Sequence, residues 1–202
     1  QSGGGKSTFL RQIITTLYLN NPKFEFVLID LKGGLEFQIF ENKERMNVVP
    51  NTSSALEFME RLDETLQSRM AILKQNECKD IDAFLKLPAE KRIASCAVNR
   101  TVVVIDEAAE LFMASDKSGA NDAQRAKRLT IKLAAQGRAV GIHLIVATQR
   151  PDVKAVDGQI KANLSGIVAF QMPNMHSSQT ILDNSRAAHL PKIPGRCIWK
   201  TS

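Results

Sequence analysis

The sequence has 202 residues, 44% of them hydrophobic and 5% aromatic, with 27 Lys and Arg against 21 Asp and Glu, a net charge of +6. This is apolar material for one core-bearing domain, and the basic surplus suits a polyanionic partner such as nucleic acid. No uninterrupted apolar run approaches the roughly 18 residues of a helical membrane span, and neither the three widely spaced cysteines (Cys78, Cys96, Cys197) nor the three scattered histidines fit a disulfide framework or a zinc site.

The chain opens on Gln1-Ser2-Gly3-Gly4-Gly5-Lys6-Ser7-Thr8, the end of a phosphate-binding loop, G-x-x-x-x-G-K-[ST], running into a helix. Glycines let successive backbone N–H groups wrap phosphate oxygens, and the helix N-terminus adds the positive end of its dipole. Lys6 can reach the β- and γ-phosphates of a nucleotide, and the Ser7 hydroxyl can ligate Mg²⁺. The motif's first Gly, and the strand that feeds such a loop, would precede Gln1. The chain therefore reads as an N-terminally truncated domain, expected to be poorly stable by itself.

Leu10, Ile13, Ile14 and Leu17 recur at helical spacing, which predicts a helix over Ser7 to Leu19, stopped at Asn20-Asn21-Pro22. Phe24 to Leu31 reads as a buried parallel strand ending in Asp30, followed by a turn at Lys32-Gly33-Gly34. Met46 to Val49 forms a second short strand. Ser54 with Glu57 fits a capping box, opening a helix that runs to about Gln75. Residues 76–100 are polar and read as an insertion or surface excursion, with a short helix over Asp80 to Leu87. Thr101 to Ile105 is a buried strand ending in Asp106-Glu107, and Ala108 to Leu111 looks helical. A loop is expected over Ser115 to Ala123, a helix over Gln124 to Gln136, and a strand over Gly141 to Ala147 ending in Thr148-Gln149-Arg150-Pro151. A basic loop, a strand over Gly166 to Phe170, a helix near Ser177 to Leu182 and a strand over Arg196 to Trp199 complete the chain. Alternating strands and helices predict an α/β, mostly parallel sheet flanked by helices. Ligands of such sheets sit at the carboxyl ends of strands, where Asp30, Asp106-Glu107 and Thr148-Gln149 lie.

Asp106, at the end of a strand, can hold the Mg²⁺ that bridges nucleotide phosphates. Glu107 beside it can orient and polarise an attacking water, which a hydrolase needs. Gln149, or Thr148, at the end of the following strand can touch a γ-phosphate. Together these features predict a hydrolysing P-loop ATPase of the type with an additional strand and a catalytic Glu. No Asn-Lys-x-Asp guanine signature occurs: Asn42-Lys43-Glu44-Arg45 misses the final Asp.

The run GIHLIVATQRPDVKAVDGQIKANL from Gly141 onward resembles the DNA-translocase family of FtsK and SpoIIIE. The likeness extends forward through Ile167 to Phe170 and Ser177 to Asp183, and backward through Val103 to Leu111 and Ile29 to Gly34 to the phosphate loop. The resemblance implies a single RecA-like motor domain over 1–202, assembled as a ring, usually a hexamer, around double-stranded DNA. It implies ATP and Mg²⁺ as cofactors, and an arginine supplied to the γ-phosphate by a neighbouring subunit. Arg138 is the first candidate for that trans-acting finger and Arg150 the second. Arg150, Lys154, Lys161, Arg125, Lys127 and Arg128, with Lys117, are candidates for DNA phosphate contact. A cytoplasmic motor is implied, with any membrane anchor or accessory domain outside these residues. The family's usual Asp-Pro-Lys is Asp30-Leu31-Lys32 here, and its Ser-Arg-Thr-Ile-Leu-Asp is Ser178-Gln179-Thr180-Ile181-Leu182-Asp183. Asn184-Ser185-Arg186 replaces a Gly-rich continuation. These departures lean toward a conjugative or mobile-element branch rather than chromosome partition. Two other readings are a ring ATPase that moves protein in secretion and a nucleotide-binding regulatory module.

Overall fold

Four apolar strands build a parallel sheet, and their pleat decides which helix each side chain meets. The computed structural model describes residues 4–93, 98–113, 119–150 and 158–201. In chain order, helix α1 (Lys6–Asn20) is followed by strands β1 (Glu25–Ile29) and β2 (Met46–Val49), helix α2 (Thr52–Gln75) and short helix α3 (Ile81–Lys86). Then come β3 (Thr101–Ile105), α4 (Ala108–Phe112), α5 (Ala120–Gln136), β4 (Ile142–Val146), α6 (Gly158–Asn163), β5 (Gly166–Phe170), α7 (Met175–Leu182) and β6 (Cys197–Thr201). Strands β1 to β4 are parallel in the order β2-β1-β3-β4, and β5 and β6 form a separate antiparallel pair.

Successive side chains of a strand point to opposite faces. Phe26 and Leu28 of β1 and Val102 and Val104 of β3 therefore pack with Leu10 and Ile14 of α1. Val27, Ile29, Val103 and Ile105 pack on the other side with Met59, Leu62 and Leu66 of α2 and Ala126 and Leu133 of α5. The result is the three-layered α/β sheet expected from the sequence, and each fully buried aliphatic side chain contributes about 1.5–3 kcal/mol. The register sets the height of the strands: Ile29 pairs with Ile105, and Ile105 with Val146. Their carboxyl ends are thereby level.

Two local expectations are corrected. Helix α2 starts at Thr52, capped by Asn51, whose side chain accepts from Ser54 N–H at 2.9 Å; Ser54 does not open a capping box with Glu57. Asn51 is the first of four consecutive cap-forming residues, Asn51-Thr52-Ser53-Ser54, and has extended backbone, and its carbonyl already takes Ala55 N–H at 3.0 Å. Helix α5 starts at Ala120, inside the expected loop, because Ala123 extends the buried face back by one turn. Residues 115–118 of that loop lie outside the described residues.

The described residues of 76–100 are tied into the core through α3 and Arg100. Asp80 caps α3, accepting from Ala83 N–H at 2.8 Å. Ile81 and Phe84 join the main hydrophobic cluster. Gly141, in left-handed backbone at φ 78°, lets Ile81 approach: a Cβ there would lie 3.3 Å from Ile81 Cγ1. Arg100 pairs with Asp82 of α3. At the β5–β6 end, Asp183 stops α7 in left-handed backbone, and its carboxylate lies 2.6 Å from Lys161 Nζ and 2.7 Å from Lys200 Nζ. One exposed carboxylate thus links α6, α7 and β6.

Phe84 is 0% exposed, so Phe84→Ala should cost about 3–5 kcal/mol, read as a lower urea midpoint with an unchanged slope. The hydrogen bonds from Lys161, and then from Lys200, pull the Asp183 carboxyl down to about 2 from an ordinary 3.8. A lowered folded-state value gives stability that is present above the ordinary value and lost as pH falls through the folded one. The denaturation midpoints of the parent and Asp183→Asn should therefore differ modestly above pH 4 and converge as pH falls to about 2.

Candidate functional site

Gly5 ends the phosphate loop at φ 100°, a left-handed value, and its carbonyl accepts Phe9 N–H at 2.9 Å to start α1. A second reason for glycine comes from the far end of the chain. Gly195 N–H bonds Gly4 O at 3.1 Å, and a Cβ at Gly5 would lie 2.8 Å from Gly195 N. The first turn of α1 has no acidic residue and no side-chain cap. Its leading N–H groups are left for an anion. Thr8 is exposed beside them, and Ser7 is half-buried. Ser2 and Gly3 lie outside the described residues.

Lys6 Nζ donates to Asp106 Oδ1 at 2.8 Å and to the Asp106 carbonyl at 2.6 Å. Asp106 is 1% exposed, and its Oδ2 is buried without a hydrogen-bond partner among the described residues. An unpaired buried carboxylate oxygen is costly, so such an atom invites a cation or water. With the Ser7 hydroxyl it offers oxygen donors, the kind Mg²⁺ requires.

Glu107, which lies between the end of β3 and α4, is 2% exposed. Thr148 Oγ1 donates to its Oε1 at 2.5 Å, and Gln149 N–H reaches Oε2 at 2.9 Å and Oε1 at 3.1 Å. Lys32 Nζ stands 3.9 Å from Oε2. Lys32 is placed by Asp30. This fully buried carboxylate accepts the backbone N–H groups of Lys32 at 3.1 Å, Glu36 at 2.7 Å and Phe37 at 3.3 Å. Asp30 therefore folds the turn after β1, and Lys32 is the group that turn brings toward the acidic pair. Residue spacing did not single out Lys32 or Gly195; the usable signal was the position of Lys32 at the end of a strand adjacent to β3.

Arg138 is exposed on the 3-10 turn Gly137–Val140, at the amino end of β4 and thus the far end of the sheet from Glu107. Burial, with Arg100 and Arg138 nearby, holds the pKa of His143 below its ordinary 6.5, so this side chain is neutral at neutral pH. The basic candidates divide. Arg125 is paired with Glu60 at 2.8 Å, as its neighbour Lys132 is with Asp63 at 2.6 Å, both across α2 and α5. Lys161 is paired with Asp183. Arg128 and Arg150 are exposed, and Lys127 is half-buried. Lys154 and Lys117 lie outside the described residues. Among the described residues no helix is long and apolar enough to cross a membrane, and no group of three or more His, Cys, Asp or Glu gathers to hold a metal.

A phosphate loop below the acidic end of β3, with a further strand carrying Thr148 beside it, is the arrangement of a P-loop NTPase of the additional-strand type. The chain belongs to the FtsK/SpoIIIE family, whose pattern matches residues 1–153. It is 34% identical over 193 residues to DNA translocase FtsK of Treponema pallidum (strain Nichols), a match covering 94% of this chain and 23% of that protein. It is 32% identical over 193 residues to DNA translocase SftA of Bacillus subtilis (strain 168), covering 94% and 19%. Among solved structures, the pCW3 conjugation coupling protein TcpA, a monomer form with ATPγS, superposes with a TM-score of 0.88 at 30% identity. That match covers 100% of this chain and 55% of TcpA. The cytoplasmic domain of the Thermomonospora curvata Type VII secretion ATPase EccC gives 0.79 at 25% identity, covering 100% and 23%. The chain thus spans about a quarter or less of the two translocases it matches.

Lys6→Ala should weaken binding of a fluorescent ATP analogue about 10- to 100-fold, the weight of a hydrogen bond to a charged group, measured by equilibrium titration.

Proposed function

We propose that this chain is the ATP-hydrolysing motor domain of a double-stranded DNA translocase that works as a ring, six copies being the count the family resemblance implies. The observation that carries the reading is the buried pair Asp106-Glu107, with Lys6 on the first carboxylate and the β4 end on the second. Lys6 leaves Asp106 for the β- and γ-phosphates when ATP occupies the loop. Ser7 and Asp106, through its unpartnered Oδ2, would hold Mg²⁺, which supplies neutralisation of phosphate charge when bound. Glu107 orients and polarises the attacking water, and Gln149 is the side chain at the β4 end assigned to sense the γ-phosphate. Arg138 stands too far along the sheet to serve its own site, which suits a finger offered to a neighbour. A finger of this kind is worth about 10³–10⁵ in rate.

A motor that moves along any sequence grips phosphates rather than base edges. Arg128 and Arg150 are exposed and fit that role. Arg125 and Lys161 are held by Glu60 and Asp183 and are weaker candidates. Likeness to TcpA, together with Gln179 and Asn184-Ser185-Arg186, favours conjugative or mobile-element transfer over chromosome partition. The motor works in the cytoplasm. Likeness to EccC supports a second reading, a ring ATPase that moves protein.

ATP turnover measured with and without long double-stranded DNA tests the proposal. DNA should stimulate turnover, and Glu107→Gln should lose about 10²–10⁴-fold in kcat while still binding ATP. Turnover indifferent to DNA would favour protein cargo. A Glu107→Gln protein as active as the parent would remove the hydrolytic motor altogether.

A further inference from the structure

Thr148 has two partners with different jobs. Its hydroxyl donates to Glu107 Oε1 at 2.5 Å and accepts Arg150 N–H at 3.0 Å. The Gln149 N–H between them spans both oxygens of the same carboxylate. Glu107 is thus engaged on both oxygens and is 2% exposed. Thr148 and Gln149 fill Oε1 and take one site of Oε2, so this pose leaves the carboxylate at most one lone pair for a water, and freeing Oε1 requires it to leave Thr148. The group to be moved first is the backbone at Arg150, because its N–H fixes the lone pair of Thr148 and so the direction in which the hydroxyl proton points.

Resting on the reading of Glu107 as the water-polarising base, we infer that Thr148 is a positioning residue that parks Glu107 and lets it go when the chain moves at Arg150. Arg150 is exposed and is a candidate phosphate contact. A polyanion that engages its guanidinium pulls on the same residue whose backbone N–H orients Thr148. Contact with DNA and release of the base are then joined through one hydroxyl group, over a path of two hydrogen bonds. Lys32, 3.9 Å from Oε2, attracts the carboxylate from the other side and helps to hold it.

Three proteins decide it: Thr148→Val, which keeps the shape and removes the hydroxyl, Thr148→Ser, which keeps the hydroxyl, and Lys32→Met, on a half-exposed side chain. Circular dichroism establishes that each is folded, and ATP turnover is measured with and without long double-stranded DNA. Thr148→Val should raise DNA-free kcat about 2- to 12-fold, the weight of one hydrogen bond, and shrink the ratio of stimulated to unstimulated turnover. Thr148→Ser should return both to parent values, and Lys32→Met should raise DNA-free kcat in the same direction. A Thr148→Val protein that slows equally with and without DNA would mean that Thr148 holds Glu107 in its working pose, which overturns the inference, as would turnover equal to the parent's. Should Thr148→Val not fold, a fall in DNA-free kcat in Lys32→Met overturns it. A parent that DNA does not stimulate would sink the DNA reading of the motor, while the contrast between Val and Ser in DNA-free turnover still decides the role of Thr148.

Discussion

The parallel register of β1, β3 and β4 is the constraint on which the site depends. Pairing Ile29 with Ile105 and Ile105 with Val146 brings Asp30, the acidic pair and Thr148 to one height. A slip of one residue in β4 would turn its side chains to the opposite face. Leu144 and Val146 would leave the layer of α2 and α5, and Thr148 would leave Glu107. Packing on both faces of the sheet thus fixes a hydrogen bond beyond its end. The core and the chemistry are set by the same pairing.

Three carboxylates are buried along that edge, and each is satisfied differently. Burial of a charge is unfavourable unless hydrogen bonds or an opposite charge offset it. Asp30 takes three backbone N–H groups and becomes a turn staple. Glu107 takes a hydroxyl and a backbone N–H, with an ammonium group at longer range. Asp106 takes Lys6 on one oxygen and leaves the other open. The three differ in what they can still accept, and that difference separates scaffold from reacting group.

Much of this was legible in the chain. The strands Met46–Val49 and Thr101–Ile105 have the bounds that their apolar runs predict, and the phosphate loop and acidic pair declare themselves by spacing. What escaped is what depends on distant partners. The cap of α2 moved to Asn51 because four cap-forming residues compete and only the backbone chooses among them. Arg125 and Lys161 look alike in sequence, as candidate phosphate contacts, yet Glu60 and Asp183 claim them from elements remote along the chain. No spacing marks Gly195, whose contact with Gly5 brings the end of the described chain against its beginning.

Those ion pairs have a consequence for how the protein responds to salt. A cation held by a carboxylate neutralises a phosphate, and so frees one of the polyanion's condensed counterions, only by giving up its partner. The total of 27 Lys and Arg includes Arg125, Lys132, Lys161 and Lys200, each of which sits within 2.8 Å of a carboxylate oxygen. The logarithmic dependence of polyanion affinity on ionic strength is therefore governed by those cations outside such pairs that reach phosphate. An ionic atmosphere that weakens the pairs also frees their cations, so the domain resists salt more than its composition suggests.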